Sequence, residues 1–427
     1  MGLFPSPWRQ GMCKWTIAMA SASSTTSFSR RGAPRRTPSC SGSPAAPGAP
    51  PSPALSTRSV LSAFSLQILT PVVRQSWCTD RILGPRLVAN VIFLDSPVGA
   101  GFSYSATDQG YKSCDTQAVD QIVIFLTKWY EDHPQFLLNP LFIAGDSYSG
   151  LIAPPLTFQI AKGIEMGYKP LLNLKGYIIG NPLTDHKFDL PARVPYAHRM
   201  GLISDEQYEI YRESCGVDTG MNRNIQCKNC HDAIDKCLKG INIHHILEPE
   251  CSAEYNGNSD SGRTLLDFGS AELGLSDISS ECREKGYSMS GIWANNMAVR
   301  KALGVHKGTV PVWLRCNHGT PYTTDIRSSV EYHRSLTSKG YRSLIYSGDH
   351  DMTVPFIGTQ AWIRFLGFAV VDEWRPWYAT GQVAGFTTLY ANNLTFATIK
   401  GGGHTAPEYR PKECLAMVDR WLSGRPL

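Results

Sequence analysis

The chain has 427 residues, of which 42% are hydrophobic and 18% charged, and its formal net charge is +5. That length suits one large domain with an insertion, or two domains, and that composition suits a folded core. The charge is mild and no Lys/Arg block is interleaved with aromatics, so no nucleic-acid partner is expected, and no apolar run is long enough to span a bilayer.

Residues 1–87 differ in texture from the rest. The opening "MGLFPSPWRQGMCKW" lacks the apolar core of a signal peptide. "SASSTTSFSRRGAPRRTPSCSGSPAAPGAPPSPALSTRS" is rich in Ser, Pro, Ala and Gly, and Arg30–Arg31 and Arg35–Arg36 read as solvated. This segment predicts disorder.

From Val88 the pattern changes. "VANVIFLDSPVGAGFSY" reads as a strand and a Gly/Pro-rich loop. "DTQAVDQIVIFLTKWYEDHP" sets Val119, Ile122, Val123, Leu126 and Trp129 at helical spacing, with Pro134 beyond its end. Leu141 to Ala144 form a short apolar run. It stops at Gly-Asp-Ser-Tyr-Ser-Gly, and "LIAPPLTFQIAKGI" follows as a helix. "LKGYIIGNPLTD" is a strand closed by a Gly-Asn-Pro loop. Strands alternating with helices predict an α/β fold with a mainly parallel sheet and helices on both faces.

Residues 186–310 break that rhythm and read as an inserted cap, leaving 88–185 and 311–427 as the core. Of twelve cysteines, Cys215, Cys227, Cys230, Cys237 and Cys251 cluster there, which points to disulfides and an oxidising compartment. The sequon Asn393-Leu394-Thr395 agrees with that setting. "CKNCH" also matches a haem-attachment pattern, but a disulfide from Cys227 to Cys215 or Cys237 is the expected use. A zinc site formed with His244 and His245 lacks the right spacing, and those two histidines are expected on an exposed turn. No metal or cofactor is expected. Beyond the cap, "GIWANNMAVRKALGV" reads as one helix, "YRSLIYSGDHDMTVP" as strand and loop, and "FIGTQAWIRFLG" as a helix. "FTTLYANNLTFATIKGGGHTAP" reads as a hairpin turning at Asn392–Asn393, and "PKECLAMVDRWL" as a last helix.

A Gly-Asp-Ser turn alone is ordinary helix capping. A serine nucleophile needs a base and an acid to orient it, and the α/β-hydrolase fold supplies them in the order Ser, Asp, His after successive strands. This chain has that order. Ser147 follows one strand, Asp349 and Asp351 another, and His404 a third, on a glycine loop.

"FIAGDSYSG", "IYSGDHDMTVP", "GGGHTAPEYRP", "VIFLDSPVGAGFSYS" and "GIWANNMAVRKALGVHKGTVPVW" together resemble the serine carboxypeptidase family, nearest the plant branch that includes glucose-ester acyltransferases. The resemblance runs over residues 88–427. It implies an α/β-hydrolase fold with Ser147 as nucleophile, Asp351 rather than Asp349 as acid, and His404 as base. It also implies the Tyr148 N–H as an oxyanion donor and Asp146 as a substrate-binding group. The implied substrate is a peptide C-terminus or an acyl-glucose ester, and the implied location is secreted or vacuolar.

The family's Gly-Gly-Pro-Gly-Cys segment, the source of a second oxyanion donor, is missing. A shifted frame restores it: the codons of "SCSGSPAAPGAP" (39–50) permit LLLWLTGGPGCS, and those of "ASSTTSF" (22–28) permit RLFYYFI. Residues 1–87 are therefore expected to be largely an out-of-frame translation. Ala49 then stands where the family has the cysteine that would partner Cys316, and activity is expected to be impaired.

Overall fold

Side-chain alternation along a few short strands builds the core. The computed structural model describes residues 17–22, 89–215, 225–250, 283–317 and 319–427. Its strands are β1 (Ile17–Ala22), β2 (Ala89–Asn90), β3 (Ser113–Cys114), β4 (Leu141–Asp146), β5 (Leu174–Gly180), β6 (Tyr322–Thr323), β7 (Arg342–Gly348), β8 (Val370–Ala379), β9 (Gln382–Tyr390) and β10 (Leu394–Ile399). Eight form one sheet in the order β2-β1-β4-β5-β7-β10-β9-β8. The central four, β4, β5, β7 and β10, are parallel, and the flanking strands are antiparallel.

Successive residues of a strand face opposite ways. Ile143, Tyr177, Ile179, Ile345 and Phe396 therefore face one core, where they meet α1 (Asp115–Asp132) and α2 (Ala153–Glu165). Phe142, Ile178, Leu344, Tyr346 and Ala397 face a second core. Both faces of the central strands are covered, as the expected α/β-hydrolase architecture requires. In α1, Val119, Ile122 and Leu126 are buried at helical spacing, and Val123 and Trp129 pack partly buried beside them. The β9–β10 hairpin turns where expected: Asn392 and Asn393 have φ of 62° and 59°, a conformation Asn tolerates in tight hairpins.

Between β5 and β7 the described helices are α3 (His186–Asp189), α4 (Arg193–Arg199), α5 (Asp205–Cys215), α6 (Ile225–Cys237), α7 (Arg283–Asn295), α8 (Met297–Ala302) and α9 (Val330–Ser338). Tyr196, Tyr211, Cys215, Cys227 and Ile234 form a small core that closes on Met352 and Ile357 of the main body. Cys215 and Cys227 are disulfide-bonded, one of the two pairings expected, whereas Cys237 is a free, exposed thiol. After β7 come α10 (Phe356–Phe365), α11 (Ala406–Tyr409) and α12 (Pro411–Leu422), the last covering the second core with Met417 and Trp421.

Four expectations need correction. The run Gly291–Val305 is two helices, because the Asn296 side chain accepts from the N–H groups of Ala298 and Val299 and restarts the helix. Disorder through residue 87 does not hold for Ile17–Ala22. There the backbone pairs antiparallel with β2 and β4, Met19 opposite Ile143. A run free of Pro and Gly can satisfy an edge of β4 that would otherwise be open. The other residues of 1–87 lie outside the described ones. Cys316 is disulfide-bonded rather than left over. His245 is buried, its ring under the Gly401 carbonyl (3.3 Å), and only its neighbour His244 is exposed.

Candidate active site

The ends of β4, β7 and β10 converge on one mouth of the sheet. At the end of β4 the chain turns so sharply that Ser147 has φ 58°, a left-handed strain tolerated only where neighbours hold it. They do: Leu183 N–H donates to the Ser147 carbonyl (2.9 Å). A side chain at Gly150 would collide with the Leu183 carbonyl and Pro182. The turn projects Ser147 Oγ to 2.7 Å from His404 Nε2.

His404 and Asp351 meet because their loops touch backbone to backbone. A Cβ at Gly348 would strike the carbonyls of Gly402 and Gly403, and His350 N–H donates to the Gly402 carbonyl (2.9 Å). His404 Nδ1 then lies 2.9 Å from Asp351 Oδ2. Asp351 is fully buried and its oxygens are all engaged. Oδ1 accepts from Thr353 N–H (2.7 Å) and Val354 N–H (3.2 Å), and Oδ2 also accepts from Asn181 Nδ2 (2.7 Å). Asp349, the alternative acid, is turned aside: its Oδ1 accepts from Gly401 N–H (2.7 Å) and faces His350.

Burial opposes charge on His404, but the carboxylate of Asp351 and its hydrogen bond outweigh it, and the pKa is raised. Asp146 behaves differently. Burial pushes its carboxyl up to about 8, offset in part by His404, and its Oδ1 is buried without a hydrogen-bond partner. It stands one residue before Ser147 with its charge suppressed near neutral pH. The Tyr148 hydroxyl donates to Asp115 Oδ1 (2.8 Å), which anchors the residue that follows Ser147.

Sequence reasoning missed two residues here. Asn181, in the Gly-Asn-Pro loop, clamps Asp351 and accepts from Gly348 N–H (3.3 Å). The local signal was the Gly-Asn-Pro triplet, which marks a tight turn, and Asn181 has a φ of 41°. His244 is the other. Its carbonyl accepts from His404 N–H (2.7 Å), and the two imidazole centroids are 5.5 Å apart. Solvent reaches His244, yet protein crowds it closely enough that burial, with the charge of His404, pushes its pKa down to about 4.

No helix among the described residues is long and apolar enough to cross a membrane. The one group of metal-type ligands among them, Cys215, Cys227 and His231, has both sulfurs tied in the disulfide.

A family model described as serine carboxypeptidase matches residues 86–424. Serine carboxypeptidase-like 17 of Arabidopsis thaliana is 46% identical over 342 residues, covering 80% of this chain and 72% of that protein. Serine carboxypeptidase-like 9 of the same plant is 47% identical over 344 residues, covering 79% and 73%. Among solved structures, Kex1(delta)p, a prohormone-processing carboxypeptidase from Saccharomyces cerevisiae, aligns with a TM-score of 0.59 at 16% identity, covering 78% of this chain and 74% of that one, a likeness of fold.

Proposed function

The chain belongs to the serine carboxypeptidase family, and from that premise we propose that Ser147, His404 and Asp351 are its catalytic nucleophile, base and orienting acid. The observation that carries this reading is the unbroken line Ser147 Oγ–His404 Nε2–Asp351 Oδ2, at 2.7 and 2.9 Å. His404 takes the Ser147 proton as Oγ attacks an ester or amide carbonyl. The resulting imidazolium is stabilised by Asp351 and returns the proton to the leaving group. Water or an alcohol then resolves the acyl-enzyme, giving hydrolysis or acyl transfer. In this reading the Tyr148 N–H is an oxyanion donor and Asp146, protonated near neutral pH, lines the substrate site. The substrate is a peptide C-terminus or an acyl-glucose ester, met in a secreted or vacuolar compartment.

We further propose that residues 1–87 are largely an out-of-frame translation, consistent with a family match that starts at residue 86. The missing oxyanion donor lowers turnover by about 10²–10³. A fluorophosphonate probe tests the whole proposal. It should label the chain at Ser147 and not label Ser147→Ala, while replacing residues 1–87 by the in-frame sequence should raise ester turnover by about that factor. A chain that never labels would be the second reading, a non-catalytic remnant of the fold.

A further inference from the structure

Helix α4 holds the loop that carries Asp351 at two carbonyls, one on each side of that residue. The Tyr196 hydroxyl donates to the Asp349 carbonyl (2.8 Å). Arg193, at the start of the same helix, donates from Nε and Nη2 to the Thr353 carbonyl (3.2 and 2.9 Å). The helix is itself fixed. Ala192, Val194 and Tyr196 are buried with Met352 and Ile357, and a Cβ at Gly358 would press on that of Ala192 at 3.0 Å.

The peptide between Thr353 and Val354 accepts Arg193 at its oxygen, and its N–H donates to Asp351 Oδ1 (3.2 Å). This peptide is trans, so its C=O and N–H point in opposite directions. One peptide unit therefore has a cation at its acceptor end and the Asp351 carboxylate at its donor end. A cation at the carbonyl polarises the amide and strengthens its N–H as a donor. Thr353 N–H adds a second bond to the same oxygen (2.7 Å), while Oδ2 is turned to His404 and Asn181. Burial lowers the Arg193 pKa, but a guanidinium stays charged, and it is attracted by Asp351 and, less strongly, by Asp235 of α6.

We infer that Arg193 is a positioning residue of the triad: through the 353–354 peptide it sets Asp351 Oδ1, and it places a permanent positive charge behind the carboxylate oxygen that does not face His404. This inference rests on the triad reading and adds to it a member from the region between β5 and β7. The charges around His404 act on it in opposite senses. Burial and Arg193 oppose a proton on its ring, whereas Asp351, with its hydrogen bond, and Asp146 favour one. His244, the imidazole beside it, is neutral because burial pushes its pKa down to about 4. Glu408 of α11 is turned onto the Tyr287 hydroxyl. A base that holds its proton too firmly cannot take one from Ser147. Arg193 therefore extends the neutral, working form of His404 to lower pH. A purely structural role would have the opposite sign. Loosening the turn draws Asp351 away from His404 and lets the pKa of the ring fall, whereas removing a positive charge lets it rise.

Two measurements test it. The rate at which a fluorophosphonate labels Ser147, followed against pH, reads the ionisation of the free base. Arg193→Gln keeps an N–H donor on a shorter side chain and removes the charge. The midpoint of its acid limb should rise by roughly half a pH unit or more. Arg193→Met should rise at least as far, and Arg193→Lys, which keeps the charge, should stay near the parent. A midpoint in Arg193→Gln that is unmoved or lower, or an equal rise in Arg193→Lys, overturns the inference. If Arg193→Met does not fold, the Gln and Lys variants decide alone. The second measurement needs no reaction: long-range proton–nitrogen spectra of the full histidine-labelled chain follow His404 itself through the titration, and the same shifts are expected. A parent that labels at no pH, with the His404 midpoint still rising in Arg193→Gln, would count against the triad and not against the hold of Arg193 on that ring.

Discussion

Two buried histidines sit in different regions of this molecule and answer burial in opposite ways. His404, at the sheet mouth, has the carboxylate of Asp351 at 2.9 Å, and its pKa is raised in spite of burial. His333, on α9 in the core behind the mouth, is fully buried, lies tilted against Trp362 with ring centroids 4.5 Å apart, and has only the Tyr177 hydroxyl (2.8 Å) on Nδ1. Burial pushes it down to about 3. Desolvation acts on both rings, and a buried anion decides which of them can hold a proton. In the proposed mechanism, that is the difference between a base that cycles through an imidazolium and a core residue that happens to be polar.

The sharpest way to break the comparison is to remove the anion. Asp351→Asn leaves His404 with a neutral partner, like His333. Labelling of Ser147 by a fluorophosphonate should slow by about 10⁴, the scale of losing the acid in comparable triads. A loss under tenfold would mean that Asp351 does not orient the base. A milder break removes the clamp and keeps the charge. Asn181→Leu takes one donor from Asp351 Oδ2 and the acceptor from Gly348 N–H. A hydrogen bond to a buried charge is worth about 1.5–3 kcal/mol, so the urea midpoint should fall accordingly, with labelling slowed less than in Asp351→Asn. An unchanged midpoint would show that the clamp contributes nothing.

Much of this mouth was legible because Ser147, Asp351 and His404 each close a strand with a conspicuous turn, in the order the fold requires. Choosing Asp351 over Asp349 was not legible from the residues alone, since both follow β7; the contact of Asp351 Oδ2 with His404 Nδ1 and that of Asp349 with Gly401 separate them. Asn181 looked like an ordinary turn residue because its partner is 170 positions away. The pair His244-His245 looked like one exposed turn, yet one ring faces His404 and the other lies under Gly401. Adjacent side chains diverge, and composition does not say which way. The break at Asn296 was hidden because Asn within an otherwise helical run reads as a weak helix former unless its capping bonds are known. Strand β1 was hidden by its surroundings: a pairing partner that lies over a hundred residues ahead leaves no periodicity in a Ser/Pro/Ala-rich stretch.

The smallest effect comes from the other histidine, and its sign separates the two. In the unfolded chain His333 titrates near the ordinary value of about 6.5. In the fold it stays neutral down to about 3. Between those values the unfolded state binds the extra proton, so the stabilisation is complete above the unfolded value and is lost as pH falls toward 3. His404 has the opposite sign: its folded pKa is raised, so its contribution is present at low pH and fades as pH rises through the folded value. Acidification from pH 7 to pH 5 should therefore cost the parent up to about 2 kcal/mol through His333, at 1.36 kcal/mol per pH unit below the unfolded pKa. His333→Leu, less stable at pH 7 because the Tyr177 hydroxyl loses its partner, should show a visibly flatter slope over that interval in urea titrations. Parallel slopes for the two proteins would mean that His333 carries a proton in the fold, and that a buried imidazole here needs no anion to stay charged.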